Sequence, residues 1–467
     1  MVFSSVTFLF YFLPAVLALY FIAPKKLKNL VMFLASMCFY AWGEIRFLPI
    51  MLIQSVIDYF CAKGIDYTQS KKLKKLYMFL DIAANLGTLI YFKYTNFFVA
   101  SFATATGLDI QTLNIILPIG VSFNTFQAMS YIIDVYRGTT THEKSYYNYL
   151  TYTTLFPQII AGPIVRYVTV ENELDERKIT IDNFSRGMRR FIIGLGKKVL
   201  IANNVGALWE LIQSGGLIQM SVASYWIGII AYTFQIYFDF SGYSDMAIGL
   251  AEVFGLYFDE NFDLPYIAKS ITEFWRRWHM TLSAWFRDYV YIPLGGNRKG
   301  MLIQIRNILI VWALTGFWHG ASWNFIMWGL YFGVILIIEK LFLLKLLVKI
   351  PKFIQHLYAL FFIVIGWVIF YFEDMGRIGE YLKGMFGFGG VPLINNTALY
   401  NLISYALIFA IAIICSTSFI NKLVKKIDDS DKLYVKILGT VFYIVIFLVS
   451  VSYLVNSTYN PFLYFRF

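Results

Sequence analysis

The sequence predicts an all-α polytopic membrane protein, and three observations carry that prediction. Of its 467 residues, 59% are hydrophobic and only 14% charged, with a mean hydropathy of +0.63, too apolar for one soluble core. Apolar runs of roughly 20 residues recur along the chain, about the length a helix needs to cross a bilayer. The basic residues behind the formal charge of +11 fall largely in short loops between those runs, as cytoplasmic loops do, and this excludes nucleic acid as the partner they serve. Cys38, Cys61 and Cys415 lie in or beside apolar runs with no CxxC spacing and no nearby histidine, so they read as small core residues and not as disulfides or metal ligands.

Taken in order, residues 3–23 make the first span. They lack a basic n-region and an A-x-A site, which reads as a retained span and not a cleaved signal. The cluster PKKLK at 24–28 places that end in the cytoplasm and the N-terminus outside. Residues 29–62 form a hairpin turning at Gly43 and Glu44, and the basic run from Lys63 returns the chain to the inner side. Spans over 76–98 and 112–136 follow, with ASFATATGLD outside between them. A polar loop then holds His142 and ENELDERK. Within it residues 151–167 are apolar but broken by Pro157 and Gly162-Pro163, which predicts a re-entrant or interfacial segment buried in protein or lining a cavity.

Residues 186–213 cross outward despite Lys197 and Lys198; either those lysines snorkel or the span begins after them. Residues 220–240 return, and the stretch behind them carries Asp239, Asp245 and Glu252 among apolar residues, where carboxylates need partners. Pairing with the arginines of 276–287 is the structural expectation, direct catalysis the alternative. An amphipathic segment follows over 265–293, with GGNRKG behind it on the inner side. Residues 301–338 have room for two short spans, with His319 at the break, and 340–352 form another basic inner loop with an interfacial His356 just beyond it. Spans over 357–372, 398–419 and 433–455 bring the total to about eleven crossings and put the C-terminus outside. No linker or soluble domain interrupts this: one integral-membrane domain is expected over 1–467, with spans at 1–136, a loop region at 137–185, a core at 186–340 and closing spans at 354–467.

Two histidines stand in settings a bilayer protein has no bland reason to build. Ser270 followed by Glu273 is a capping box, and the helix it opens should run to about Pro293. Helical spacing would put Trp275, His279, Leu282 and Phe286 on one desolvated stripe, flanked by Arg276, Arg277 and Arg287, whose charge would hold the imidazole neutral. His319 lies between Gly316 and Gly320 in TGFWHG, where small-xxx-small spacing lets backbones approach closely. A polar residue bonded across helices is one reading of it; chemistry is the other, since ionisable residues at depth tend to be functional.

At these residues the chain resembles a known family. ITEFWRRWHMTLSAWFRDYVYIPLGGNR and WHGASWNFIMWGLYFG, with YFDFSGYSDMAIGLAEVFG at 237–255 and the terminal YNPFLYFRF, are similar to the membrane-bound O-acyltransferases, and within them to the bacterial branch that O-acetylates alginate and peptidoglycan. The resemblance implies a fold of about eleven transmembrane helices with re-entrant and amphipathic helices around a central tunnel, with His319 as catalytic histidine and His279 as the second active-site residue. It further implies acetyl-CoA as donor substrate with no bound cofactor or metal, a separate extracytoplasmic SGNH-type transferase as partner, a polysaccharide acceptor, and residence in the bacterial cytoplasmic membrane.

Acyl transfer from a thioester to a hydroxyl needs a base, oxyanion donors and exclusion of water. His319 is assigned the base. His279 orients or polarises the carbonyl, and Trp323 and Asn324 are candidate helpers by position. Trp275 and Trp278 are candidate tunnel walls. Arg276, Arg277, Arg298 and Lys299 lie on the inner side, where coenzyme A phosphates would arrive or where an ordinary positive-inside loop would sit. FLYFRF resembles the acyl-accepting end of the small partner peptide in teichoic-acid D-alanylation, which makes Tyr464 an acyl relay; an aromatic interface belt explains it equally. The chain carries no GxSxG, Walker or HExxH motif. The competing class is a transporter or flippase of a lipid-linked sugar, for which the first half would need a counterpart of residues 237–323 that it lacks; a scaffold subunit would have no use for two intramembrane histidines.

Overall fold

In a computed structural model of the chain the described elements are helices, and the single strand-like pairing among described residues is an isolated antiparallel bridge between Phe262 and Trp278. The structure describes all residues except 216–219, 389, 429, 431, 457–458, 462 and 464–467, so Tyr464 lies outside the described residues. Two compact units emerge: Met1–Phe191 with Ser244–Asp259, and Ile192–Tyr243 with Glu260–Phe467.

Five helical stretches are long and apolar enough to cross a membrane: Lys25–Tyr67, Ile181–Ser214, Met301–His319, Lys352–Tyr371 and Leu433–Asn456. A sixth arises if Asn396–Ser404 and Ala406–Cys415, which meet at 55°, form one bent span. Other expected crossings are built differently. Trp323–Ile338 runs on without a break through a π-turn over Glu339–Leu343 to Leu347, carrying the basic residues expected in an inner loop on the end of the helix itself. The stretch expected to cross over 112–136 becomes helical only at Val121 and runs to Arg137. Conversely Val222–Val253 continues as one helix of 32 residues through the polar stretch expected to follow a span ending near 240.

In the first unit an aromatic cluster forms the core, with Phe156 edge-on to Phe12 at 5.4 Å and tilted on Phe39 at 5.6 Å. Residues 155–165, expected to be re-entrant, form a non-helical loop whose Phe156, Gln158, Ile159, Ala161 and Val165 are all buried. That is the condition under which irregular backbone survives at depth.

The carboxylates expected to pair with arginines 276–287 pair elsewhere. In the first unit Arg190 holds Asp245 at 3.0 Å and Arg186 holds Glu252 at 2.7 Å; in the second unit Lys198 holds Asp239 at 2.6 Å. All three cations lie on the Ile181–Ser214 stretch, which spacing along the chain does not bring to Val222–Val253 but antiparallel helix packing does. Lys198 is 2% exposed, so it does not snorkel.

Candidate functional site

The second unit builds its candidate site on a break. The serine half of the capping box forms as expected, with Ser270 Oγ accepting from Glu273 N at 3.0 Å, while Glu273 Oε2 reaches one residue beyond the cap and accepts from Lys269 N at 2.9 Å. A second cap was not anticipated. Buried Glu339 accepts from the amides of Ile271 and Thr272 at 2.7 and 2.8 Å and from Thr272 Oγ1 at 2.6 Å, a carboxylate placed where the helix N-terminus presents positive partial charge.

The helical run reaches Tyr291, close to the expected end at Pro293, but it is interrupted. A first helix ends at Arg277, and a second runs from Met280 to Phe286 and on through a π-turn over Arg287–Tyr291, with His279 between the two in the left-handed region at φ 45°, ψ 55°. Only Leu264 shares that conformation among described non-glycine residues. The stripe expected from Trp275 through Phe286 is therefore cut. The cause is tertiary. Residues 261–263 lie antiparallel to 277–280, with Asp263 N donating to Arg277 O and Met280 N to Asn261 O, each at 2.9 Å, and this ladder draws Trp278 and His279 out of the helix. A left-handed non-glycine residue costs about 1–2 kcal/mol, strain of a kind that collects at functional sites.

Asn261, fully buried, holds the histidine there. Its Oδ1 lies 3.0 Å from His279 Nδ1, 2.9 Å from Thr281 Oγ1 and 3.4 Å from Thr281 N. The Thr281 amide can only donate, which identifies that amide atom as oxygen and makes His279 Nδ1 a donor. The basic nitrogen of the ring is then Nε2. Phe240 stands edge-on to the imidazole at 4.8 Å and Trp318 lies 6.0 Å away. Burial pushes the His279 imidazole down to about 3. The arginines expected to do this are otherwise engaged: Arg277 binds Asp263 at 2.8 Å and Glu273 at 3.0 Å, Arg287 binds Asp288 at 2.6 Å, and Arg276 is exposed.

His319 is the last residue of Met301–His319, at the expected break before Trp323–Ile338. Its ring lies edge-on to Trp318 and Trp328, both at 5.0 Å, and to Phe370 at 5.3 Å. Gly316 acts as expected, since a Cβ there would stand 2.2 Å from Phe325 O; its counterpart is Gly329, where a Cβ would stand 2.2 Å from Trp312 O, whereas Gly320 meets the Phe325 ring and not backbone. Asn324, fully buried, donates to the carbonyls of Phe370 at 3.0 Å and Ile369 at 3.3 Å, fixing the Phe370 ring against His319.

Trp318 thus touches both imidazoles. Trp275 stacks edge-on to Trp312 at 4.7 Å and to Phe332 at 5.0 Å, and Trp278 packs on Trp367 at 4.9 Å, walling the same aromatic core. The structure does not bring Trp323, Arg276, Arg298 or Lys299 into it; all four are exposed. Sequence reasoning missed Asn261, Trp318, Glu339 and Phe370. The one available signal was a neutral amide among the carboxylates of YFDENFD. Among the described residues no group of three or more His, Cys, Asp or Glu is placed to hold a metal ion.

Residues 37–375 match the MBOAT, membrane-bound O-acyltransferase, family. The chain is 37% identical over 487 residues to the probable alginate O-acetylase of Pseudomonas putida, covering 100% of both chains. It is 40% identical over 425 residues to that of Azotobacter vinelandii, covering 89% of this chain and 84% of the relative. It is 36% identical over 428 residues to the peptidoglycan O-acetyltransferase of Helicobacter pylori, covering 84% and 81%.

Proposed function

Since the chain belongs to the membrane-bound O-acyltransferase family and is an O-acyltransferase, we propose that it moves acetyl from cytoplasmic acetyl-CoA toward the hydroxyls of an extracytoplasmic polysaccharide. The relatives named for alginate and peptidoglycan acetylation support the acyl group and the acceptor class. In this reading the protein sits in the cytoplasmic membrane with about eleven crossings and both termini outside. It hands the acetyl group to an SGNH-type partner, with Tyr464 as the intermediate carrier.

The observation that carries the reading is the pair of buried imidazoles that both pack on Trp318 in an aromatic core. His319 takes the proton of the attacking hydroxyl; the C–O bond forms as the C–S bond breaks, and the proton passes to the departing coenzyme A thiolate. His279 spends its N–H on Asn261, so as a neutral ring it has no second proton with which to polarise a carbonyl. That leaves orienting, and not polarising, as its role in this reading. Exclusion of water protects the thioester from hydrolysis.

In liposomes supplied with labelled acetyl-CoA, the wild-type protein is expected to release coenzyme A with acetyl transfer, and His319→Ala to lower the rate by about 10²–10⁴-fold at unchanged thermal stability. Transfer at the wild-type rate in that variant would overturn the assignment.

A further inference from the structure

Four polar side chains at the heart of the second unit are turned toward a peptide. Lys198, Gln235 and Asp239 are each 2% exposed and Asn203 is 8% exposed. Lys198 Nζ binds Asp239 Oδ1 at 2.6 Å and Asn203 Oδ1 at 2.8 Å. An ion pair this deep is tolerated only when its remaining hydrogen-bonding capacity is met. Tyr459, Asn460, Pro461 and Leu463 of the same chain meet it. Asp239 Oδ2 accepts from Leu463 N at 2.9 Å, and Lys198 Nζ donates to the carbonyl of Pro461. Asn203 Nδ2 donates to Asn460 Oδ1 at 3.1 Å, and Gln235 Nε2 to the Tyr459 hydroxyl at 3.3 Å. Leu463 is itself buried among the apolar residues of this unit.

The match is chemical as well as steric. A segment outside the α-helices, taken to depth, brings carbonyls and amides that must be satisfied one by one. Proline brings no N–H, so at Pro461 the carbonyl alone needs a partner, and a lysine supplies it. Two residues on, where an amide needs an acceptor, a carboxylate supplies that. Gly206 completes the fit: a Cβ there would stand 2.4 Å from Gln235 Nε2 and 3.0 Å from the Tyr459 hydroxyl.

We propose that Lys198, Asn203, Gln235 and Asp239 form a cradle for a Tyr-Asn-Pro-containing peptide, filled by Tyr459, Asn460, Pro461 and Leu463, and that this cradle serves to position the residue next in sequence, Tyr464, for acyl transfer. The positioning half rests on the relay described under Proposed function; the cradle does not. These are positioning residues, since none touches the reacting atoms.

Hydrogen exchange of the C-terminal peptide, read by mass spectrometry on the full-length protein, tests it. The variants are Lys198→Met with Asp239→Leu, which replaces the pair by apolar groups, and the milder Gly206→Ala. Unchanged exchange in Lys352–Tyr371 identifies variants that remain folded. The Leu463 amide is expected to exchange at least about tenfold faster in the double variant than in wild type, with acetylation falling in step and Gly206→Ala between the two. Equal exchange at Leu463 in wild type and folded variants would overturn the cradle. Full acetylation with the segment released would overturn the positioning role. Full acetylation by Tyr464→Phe beside a protected Leu463 would overturn the relay alone.

Discussion

Asn261 decides what His279 can do. By accepting from Nδ1 it selects one tautomer and one ring orientation, and by accepting from Thr281 it holds that geometry in a left-handed residue. Residues that orient a reacting group in this way are worth about 10–100-fold when removed. Asn261→Ala is therefore expected to lower kcat by about that factor with little change in KM, while Asn261→Asp keeps the acceptor, favours the imidazolium and moves the acid limb of the pH–rate profile upward; identical profiles for Asn261→Asp and wild type would refute the contact's role. The pH dependence of stability has a definite sign. His279 in the folded protein lies at about 3, below its ordinary 6.5, so the unfolded chain binds the proton first. Stability from this residue is whole above pH 6.5 and is lost progressively as pH falls toward 3. Replacing His279 by Gln should flatten the decline in Tm between pH 6.5 and 4.5, and an undiminished decline would assign it to other groups.

At the scale of elements, the crossing of Met301–His319 with Trp323–Ile338 sets where His319 sits. Any side chain at Gly329 meets the Trp312 carbonyl, which cannot swing away. Gly329→Leu is expected to destabilise the unit by about 1–3 kcal/mol or more and to lower activity even in the folded fraction, because parting the helices withdraws Trp328 from the His319 ring. A variant with wild-type Tm and rate would show that the crossing has slack. This crossing was legible in TGFWHG and the apolar run behind it, as was the capping box at Ser270, because small-residue spacing and caps are local signals. The break at His279 was not. Helical periodicity reports which residues share a face if the helix continues; it is silent about a short ladder with residues 261–263 that stops it.

For the whole molecule, the basic loops carry the topology. A cysteine-free background with Ile110→Cys is expected to label from outside intact cells, and Asn297→Cys only after permeabilisation; the opposite pattern would reverse the proposed orientation. Charge placement, apolar run length and the long ordered similarity to an acyltransferase family are properties of the chain read in one dimension, and they were enough to predict a helical membrane protein and an O-acyltransferase. They also pointed to His279 and His319.

What the sequence could not contain was partnership. Asp239, Asp245 and Glu252 demanded cations because carboxylates at depth are costly unpaired, yet arginines nearby in sequence were the wrong candidates. Lys198, Arg190 and Arg186 reach them only because two long helices lie side by side. The same holds for Asn261 on His279, Glu339 on the Ile271 amide, and Asp239 on Leu463. Each joins residues 18 to 224 positions apart in the chain. Hydropathy and periodicity weigh each residue against its near neighbours; a buried hydrogen bond is settled by which distant atom folding delivers to it.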